Sequence, residues 1–193
     1  MRLAIIDSSC ANLASLAFCL ERLGFKASIS KDVKDLERAD KLFLPGVGTA
    51  RRAILHLKDS GLIPFIQNTS KPVFGICLGM QLLGEFSEEL NQTTLGVLPF
   101  QTRKLKAKPG FCLPHMGWNS VESTHDLFAG LNGAYFYFTH SYCIEVNPYT
   151  IASCTYTEPF SAAVARGNFY GVQFHPERSG EAGELLLKNF ILS

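Results

Sequence analysis

The sequence has few charged residues and no long run of any one kind. Charged side chains make up 18% of the 193 residues, below the roughly 25% of an average soluble domain, and the formal net charge is +1. Without a cluster of lysine and arginine, a nucleic-acid-binding role is not expected. No stretch approaches the ~18 apolar residues that span a bilayer, and Asp7 interrupts the apolar start too early for a signal peptide. We therefore expect a soluble, cytoplasmic protein with no membrane segment.

The sequence also lacks cysteine pairs at the spacing of a redox or metal-binding motif. The six cysteines are scattered, none forms a C-x-x-C pair, and no ligand spacing matches a zinc site. We therefore expect no disulfides, no metal and no cofactor. Five of the six are expected to be small apolar side chains without chemistry: Cys10, Cys19, Cys112, Cys143 and Cys154.

The first half of the sequence alternates regularly between apolar and amphipathic segments. This pattern predicts strands at residues 2–7, 25–30, 41–44 and 72–76, and helices at 12–24, 32–38 and 49–61 with a further helical turn near Phe65. Such alternation is typical of an α/β fold with a central, mostly parallel sheet and helices on both faces.

After Glu89 the segments become short and β-rich. Strands are predicted at 95–106, 134–146, 150–155, 160–165 and 169–174, before a closing helix at 179–192. No long linker divides the chain. Residues 1–193 are therefore expected to form a single domain with an additional β-rich C-terminal half.

Cys77 lies in a predicted nucleophile elbow. The fourth strand leads directly into Gly75-Ile76-Cys77-Leu78-Gly79, which is followed by the apolar start of a helix. Such a turn holds its central residue in strained backbone geometry, and the flanking glycines let neighbouring backbone pass closely. The start of a helix also favours a thiolate over a thiol. We therefore expect Cys77 to be a covalent nucleophile.

A cysteine nucleophile needs a base, and His175 has the best context among the five histidines. Pro176 cannot donate to a sheet ladder, so the strand should stop near Phe174 and leave His175 at its end. In extended backbone, residues i and i+2 point to the same side, so Glu177 is expected to accept from the imidazole. Alone, this segment could be a capped strand end with an incidental ion pair. Beside the elbow it favours a Cys-His-Glu triad.

Acyl chemistry also needs hydrogen-bond donors for an oxyanion. The backbone N–H of Leu78, next after the nucleophile, is one candidate. A second could come from Gly46, Val47 or Gly48, at the carboxyl edge of a strand where parallel sheets bind ligands. These glycines could instead form an ordinary strand-to-helix turn. A phosphate loop is excluded because no Gly-Lys-Ser/Thr follows.

Together these segments resemble the class I (triad) glutamine amidotransferases over nearly the whole chain. Residues 75–81 look like the nucleophile segment of that superfamily, and residues 173–177 look like its His-x-Glu segment. Other stretches are similar to the glutaminase subunit of imidazole glycerol phosphate synthase: residues 45–48 (PGVG), 114–119 (PHMGWN), 139–142 (THSY) and 169–180.

The resemblance implies a glutaminase that passes ammonia to a (β/α)8-barrel cyclase partner in histidine biosynthesis. Cys77 would attack the glutamine amide, His175 would move the proton, and Glu177 would orient His175. The residues that would help hold glutamine are Gly79, Gln81, His140, Ser141 and Tyr142.

The resemblance also implies partner contacts and a switch. The partner-facing residues would be Asn12, His115, Met116, Trp118 and Asn119, although Trp118 could equally be a core anchor. Glutamine hydrolysis would be weak until the partner is engaged. Residues 45–48 would be the switch, because Gly46 and Gly48 make a peptide flip sterically cheap.

One departure from the family pattern follows the first strand. Many members carry an Asp-Tyr-Gly-x-Gly-Asn-like loop, whereas this chain has Asp7-Ser8-Ser9-Cys10-Ala11-Asn12. The loop is expected to be stiffer, with altered contacts to the partner or the switch. This keeps open a paralogous protein that feeds ammonia to another synthase, such as one amidating a sugar for surface polysaccharide. A catalytically idle scaffold is the other alternative, and the intact triad argues against it.

Overall fold

A computed structural model describes residues 1–9 and 12–193. Cys10 and Ala11 lie outside the described residues. The predictions that fall on them are the inert thiol of Cys10 and the altered loop, of which these two residues form half. None of the helices within those two ranges has the length and apolarity of a bilayer span.

The described residues alternate strands and helices in the first half, as predicted. The strands are β1 (Leu3–Ile6), β2 (Ala27–Ser30), β3 (Lys41–Gly46), β4 (Val73–Cys77), β5 (Phe86–Ser87), β6 (Gln92–Thr93), β7 (Gln101–Lys104), β8 (His115–Val121), β9 (Ala134–His140), β10 (Tyr142–Ile144), β11 (Thr150–Thr155), β12 (Pro159–Arg166) and β13 (Phe169–Val172). The helices are α1 (Leu13–Arg22), α2 (Val33–Leu36), α3 (Ala50–Asp59), α4 (Leu62–Asn68), α5 (Leu78–Leu82) and α6 (Gly180–Leu192).

A seven-stranded sheet forms the centre of the molecule, in the order β11-β12-β13-β4-β3-β1-β2. The strands from β13 to β2 are parallel, whereas β12 and β11 are antiparallel additions at one edge. A four-stranded sheet (β10-β7-β5-β6) and the β8–β9 ribbon complete the β-rich half. The predicted fold class is confirmed.

Helices cover both faces of the central sheet because its strands are apolar on both sides. On one face, Phe190 of α6 packs against Phe43 and Phe74, with ring centroids 5.5 and 4.7 Å apart. On the other face, Leu57 of α3 is fully buried in a cluster with Leu42 of β3. The central strands are therefore held from both sides, and their carboxyl ends are fixed in position.

The structure differs from the predictions mainly in the β-rich half. Residues 95–98 are not a strand, because the N–H groups of Leu95 and Leu98 donate to the carbonyls of Leu82 and Leu83 at the end of α5. The segment 134–146 is two strands, since β9 pairs with β8 and β10 pairs with β7 of another sheet. The strand β8, whose sequence mixes polar and apolar residues and contains a glycine, was not predicted, and neither were the short strands β5 and β6.

Candidate active site

The elbow at Cys77 has the strained geometry that the sequence predicts. Cys77 ends β4 with φ 54° and ψ −109°, a positive φ that a non-glycine residue adopts only when its surroundings enforce it. A Cβ on Gly75 would lie 2.8 Å from the backbone of Gly79, and a Cβ on Gly79 would lie 1.7 Å from the carbonyl oxygen of Leu44. Only glycine at both positions allows the tight turn.

Parallel pairing brings the other parts of the site to the same edge. Gly46 of β3 is the register partner of Cys77, and β13 pairs with β4 as far as Val172 and Ile76. The chain leaves β13 only three residues before His175. Because parallel strands end at one edge of the sheet, the elbow, the Gly46 segment and His175 converge there.

His175 and Glu177 form a buried hydrogen-bonded pair. The Nδ1 of His175 lies 2.8 Å from Oε1 of Glu177, and the two side chains are 5% and 8% exposed. A carboxylate can only accept, so Nδ1 carries the proton and Nε2 of the neutral ring is bare. The expectation of extended backbone is wrong here, because Pro176–Arg178 is a turn of 3-10 helix. The turn places Glu177 against the ring.

Charge around His175 favours the imidazolium. Burial disfavours the charged ring, but the neighbouring Cys77 and the hydrogen-bonded Glu177 outweigh it and raise the pKa of His175 to about 10. The Nε2 atom itself is buried and has no hydrogen-bond partner among the described residues. A proton taken from Cys77 can therefore be held on Nε2.

Three other buried cysteines lack the means to ionise. Burial raises the pKa of Cys19 to about 11, and those of Cys143 and Cys154 to about 12. Their thiols stay protonated at neutral pH, as the prediction of inert side chains requires. Cys112 is exposed.

A cavity of about 300 Å³ opens over the elbow. It is lined by Cys77, Leu78 and Gln81, by Val47 and Gly48, by residues 139–142 and by His175. Its size lies at the lower end of the range for small-molecule sites. Gly79, predicted to help hold glutamine, packs against Leu44 instead and does not line the cavity among the described residues.

Two glutamines connect the cavity wall to Cys77. The Nε2 of Gln81 donates to the carbonyl of Tyr142 at 3.0 Å and to Oε1 of Gln173 at 2.9 Å. The Nε2 of Gln173 in turn faces the sulfur of Cys77 at 3.7 Å. Gln173 was not assigned a role from the sequence, although it lies in the His-x-Glu segment two residues before His175.

Glu89 is a second residue that sequence reasoning missed. It lines the cavity and accepts a hydrogen bond from the backbone N–H of Ala50, at the start of α3, at 2.8 Å. It is the one carboxylate in the lining formed by the described residues. Glu89 comes 12 residues after Cys77 in a polar turn, so no sequence pattern linked it to the site.

The predicted switch is held at one end and open at the other. A Cβ on Gly46 would lie 3.0 Å from Gly79 N and Leu78 Cβ, and Gly46 is paired in the sheet, so its backbone has little freedom. Gly48 has φ +87° with open space around it, and Val47 is exposed. Of these two glycines, open space of the kind that a cheap peptide flip needs is seen only at Gly48, and the switch itself stays a prediction. The hydroxyl of Ser8, in the altered loop, donates to the carbonyl of Pro45 at 3.2 Å.

Not all of the predicted partner-facing residues lie on the surface. Met116 and Trp118 are 64% and 55% exposed, so Trp118 is not a core anchor. Asn12 is exposed and caps α1 through Ser15 N. The prediction for His115 is wrong, because it is 2% exposed and stacks against Tyr156 and Phe138. Asn119 is half-buried beside it.

The described residues contain no group of three histidine, cysteine or acidic side chains arranged to hold a metal ion. Within the part of the chain that the structure describes, the site brings together a strained cysteine, a histidine–carboxylate pair and a cavity lined by one acidic side chain.

Comparison with known families identifies this arrangement. Residues 4–193 match the model of the family described as "Glutamine amidotransferase class-I". The chain belongs to the class-I glutamine amidotransferase family. Two solved structures share its fold: a glutamine amidotransferase (TM-score 0.77, 18% identity, 98% of this chain and 97% of that chain) and a glutamine amidotransferase from Thermotoga maritima (TM-score 0.67, 19% identity, 100% and 81%).

Relatives with much higher sequence identity indicate which members of the family this chain resembles. The chain is 66% identical over 191 residues to "Imidazole glycerol phosphate synthase subunit HisH 2" of Campylobacter jejuni, covering 99% of this chain and 98% of the relative. It is 52% identical over 194 residues to "Imidazole glycerol phosphate synthase subunit HisH" of Salmonella typhimurium, covering 99% of each. The resemblance seen in the sequence is confirmed, and these names do not favour the sugar-amidating alternative.

Proposed function

We propose that this chain hydrolyses glutamine to glutamate and ammonia, as the glutaminase subunit of an imidazole glycerol phosphate synthase. The observation that carries the proposal is the convergence of Cys77, His175 and Glu177 at one edge of the sheet, beside a cavity. The relatives named as synthase subunits supply the biosynthetic context.

The reaction uses the triad in two stages. Cys77 transfers its proton to Nε2 of His175 and attacks the side-chain amide carbon of glutamine. The tetrahedral intermediate collapses when the C–N bond breaks and the nitrogen takes the proton from His175, so that ammonia leaves. Water, deprotonated by His175, then attacks the thioester and releases glutamate and the thiol. Glu177 holds the ring in the one tautomer that serves both stages.

The cavity supplies complementary charge and a wall for the substrate. Glu89 is placed to pair with the α-ammonium group of glutamine, since it is the carboxylate that faces the cavity in the described residues. Gln81, His140, Ser141 and Tyr142 would bound the amino acid on another side. The oxyanion would be held by the N–H of Leu78 and by an N–H from the Val47–Gly48 end of the switch.

The partner would be a (β/α)8-barrel cyclase that uses the ammonia to form imidazole glycerol phosphate and aminoimidazole carboxamide ribotide. Met116 and Trp118 are large apolar side chains exposed on one strand, as expected of a surface that a partner covers. Partner binding would act on the Val47–Gly48 end of the switch, where Gly48 has conformational freedom.

Glutamine hydrolysis by the purified chain tests the proposal. Release of glutamate is measured for the chain alone, with the cyclase from the same genome, and with the cyclase and its nucleotide ligand. We expect slow hydrolysis alone and a sharp increase with the partner and ligand. Fast hydrolysis that the partner leaves unchanged would contradict the switch, and no hydrolysis under any condition would contradict the proposed reaction.

A further inference from the structure

The β8–β9 ribbon carries two buried histidines that take no part in the proposed proton transfers. His115 of β8 and His140 of β9 are 2% and 5% exposed, and Nδ1 of His115 lies 3.0 Å from Nε2 of His140. They are register partners across the ribbon. Two buried imidazoles in contact can share only one proton between those atoms, so the direction of this hydrogen bond has to be set by their other partners.

At one end, the backbone sets the direction. The Nδ1 of His140 lies 2.8 Å from the carbonyl oxygen of Tyr142. A carbonyl only accepts, so Nδ1 of His140 carries the proton and its Nε2 is bare in the neutral ring. The Nε2 atom must then accept from His115.

At the other end, an amide sets the same direction independently. The Oδ1 of Asn119 accepts from Ser120 N at 2.9 Å, and its Nδ2 donates to the carbonyl of Thr155 at 3.0 Å. This fixes the amide with Nδ2 toward Nε2 of His115, at 3.5 Å. Nε2 of His115 therefore accepts, which leaves the proton on Nδ1, facing His140.

We infer that His115 and His140 are both held as neutral Nδ1–H tautomers, in one directed chain of hydrogen bonds that runs from Asn119 to the carbonyl of Tyr142. Through this chain, His115 acts as a positioning residue for residues 141–142 of the cavity lining, the glutamine-binding wall. This rests on the proposed function for its effect on glutamine. Burial supports the neutral state, since it lowers the pKa of His115 to about 4 and that of His140 to about 3.

The chain of hydrogen bonds connects the β8–β9 ribbon to the lining of the cavity. The carbonyl of Tyr142 also accepts from Gln81, whose second partner, Gln173, faces the sulfur of Cys77. If His140 took the other tautomer, its bare Nδ1 would face the carbonyl oxygen of Tyr142 and repel it. The wall at residues 141–142 would move, and the anchor of Gln81 would be disturbed.

The strand β8 carries exposed apolar side chains on one face and the hydrogen-bonded side chains His115 and Asn119 on the other. Side chains alternate along β8, so Met116 and Trp118 point outward while His115 and Asn119 point inward. A displacement of β8 from outside would therefore reach the glutamine-binding wall through two side-chain hydrogen bonds.

Nitrogen-15 NMR of the unmodified chain tests the tautomers directly. Long-range proton–nitrogen spectra at neutral pH should show, for both His115 and His140, a protonated Nδ1 and a bare Nε2. This is the tautomer that free histidine populates less. An Nε2–H tautomer or an imidazolium at either residue would overturn the inference, whether or not the chain hydrolyses glutamine.

A matched set of variants tests the functional part. His115→Phe keeps a ring between Tyr156 and Phe138 but removes the donor, so we expect KM for glutamine to rise about tenfold, the effect of one lost hydrogen bond, with kcat changed less. The His140 nitrogen signals should change with it. His115→Asn keeps an N–H near the Nδ1 position and should recover part of the KM.

The control is His56→Phe, the same substitution on α3 outside the cavity lining, which should leave both KM and the His140 signals unchanged. An unchanged KM in a folded His115→Phe variant would overturn the positioning role. If that variant does not fold, the spectra of the unmodified chain still decide, because an Nε2–H tautomer at His115 or His140 contradicts the inference and an Nδ1–H tautomer at both supports it.

Discussion

Glu177 accepts a hydrogen bond from Nδ1 of His175 at 2.8 Å, although the two residues are separated only by a proline. The 3-10 turn that begins at Pro176 folds the carboxylate back onto the ring. The hydrogen bond holds a ring proton on Nδ1, so Nε2 is the imidazole nitrogen that can serve as the base.

Replacement of Glu177 by glutamine should disable the base without changing its shape. The amide can donate to Nδ1, which would move the ring proton to Nε2, where the mechanism needs a lone pair. We expect kcat for glutamine hydrolysis to fall by about 10²–10⁴-fold. The pKa of His175 should also fall, since the carboxylate helps to raise it, and an NMR titration would measure this. Glu181→Gln, on the exposed start of α6, is the control, and unchanged kcat in E177Q would contradict the role of Glu177.

Removal of the Cys77 thiol should separate the two activities of the complex. Cys77→Ala lacks the nucleophile, so glutamine-dependent synthesis by the complex should fall at least about 10³-fold. Synthesis from added ammonium salts should persist, because it needs only the partner. Cys112→Ala, at an exposed cysteine, should change neither. Loss of the ammonia-dependent reaction in C77A would mean that Cys77 is needed for assembly.

Gly79→Ala should prevent the elbow from closing. The added methyl group would lie 1.7 Å from the carbonyl oxygen of Leu44, a backbone atom that cannot move without disrupting β3. We expect the free energy of unfolding in urea to fall by about 3 kcal/mol or more. At Gly96, φ is +65° but the space is open, so Gly96→Ala should cost only about 1 kcal/mol. Equal losses would show that packing at Gly79 is not tight.

The ion pair of Glu158 and Arg103 should make stability sensitive to acid. Two hydrogen bonds at 2.7 and 2.9 Å join the side chains, and the Arg103 hydrogen bonds are the main reason that the pKa of Glu158 is lowered to about 2. Because the pKa of Glu158 is lower in the folded state, the ion pair stabilises the folded protein at pH values above the ordinary pKa near 4.5. This stabilisation is lost as the pH falls toward 2.

Glu158→Gln should therefore be less stable than the parent at pH 7, by about 1–2 kcal/mol. The difference should shrink between pH 4.5 and pH 2, because the parent loses its charge there and the glutamine does not titrate. Urea unfolding at several pH values measures this. Glu21→Gln, the same substitution on the exposed side of α1, is the control, and a pH-independent difference in E158Q would count against the ion pair as the cause.

Trp118→Ala should weaken association with the cyclase. The side chain is 55% exposed on β8, and a buried tryptophan at an interface commonly contributes about 2 kcal/mol or more to binding. We expect the Kd measured by titration calorimetry to rise about 30-fold or more, with stability of the free chain little changed. Ile29→Ala removes an exposed apolar side chain from the β2 edge and should leave Kd unchanged. An unaffected Kd in W118A would place the interface elsewhere.

Local patterns predicted the strands of the central sheet, the turn at Cys77 and the neighbouring His175 and Glu177, because short-range physics controls these features. Gly75 and Gly79 around Cys77 indicate an elbow since no other residue tolerates those close approaches, and Pro176 ends the strand before His175 by lacking an N–H. The strand β8 was not predicted, because a segment that mixes polar and apolar residues around a glycine forms a strand only through its pairing with β9.

The sequence by itself determined the tight turn at Cys77, the end of the strand before His175 and the alternation of strands and helices, because a pair of glycines, a proline and an apolar period each act within a few residues. Only the tertiary structure decided that His115 is buried rather than facing a partner, that Glu89 faces the cavity and that Gly46 is locked while Gly48 is free. Each of these depends on residues distant in sequence: Tyr156 and Phe138 around His115, Ala50 with Glu89, and Leu78 and Gly79 against Gly46. Contacts of that kind form only when the chain has folded.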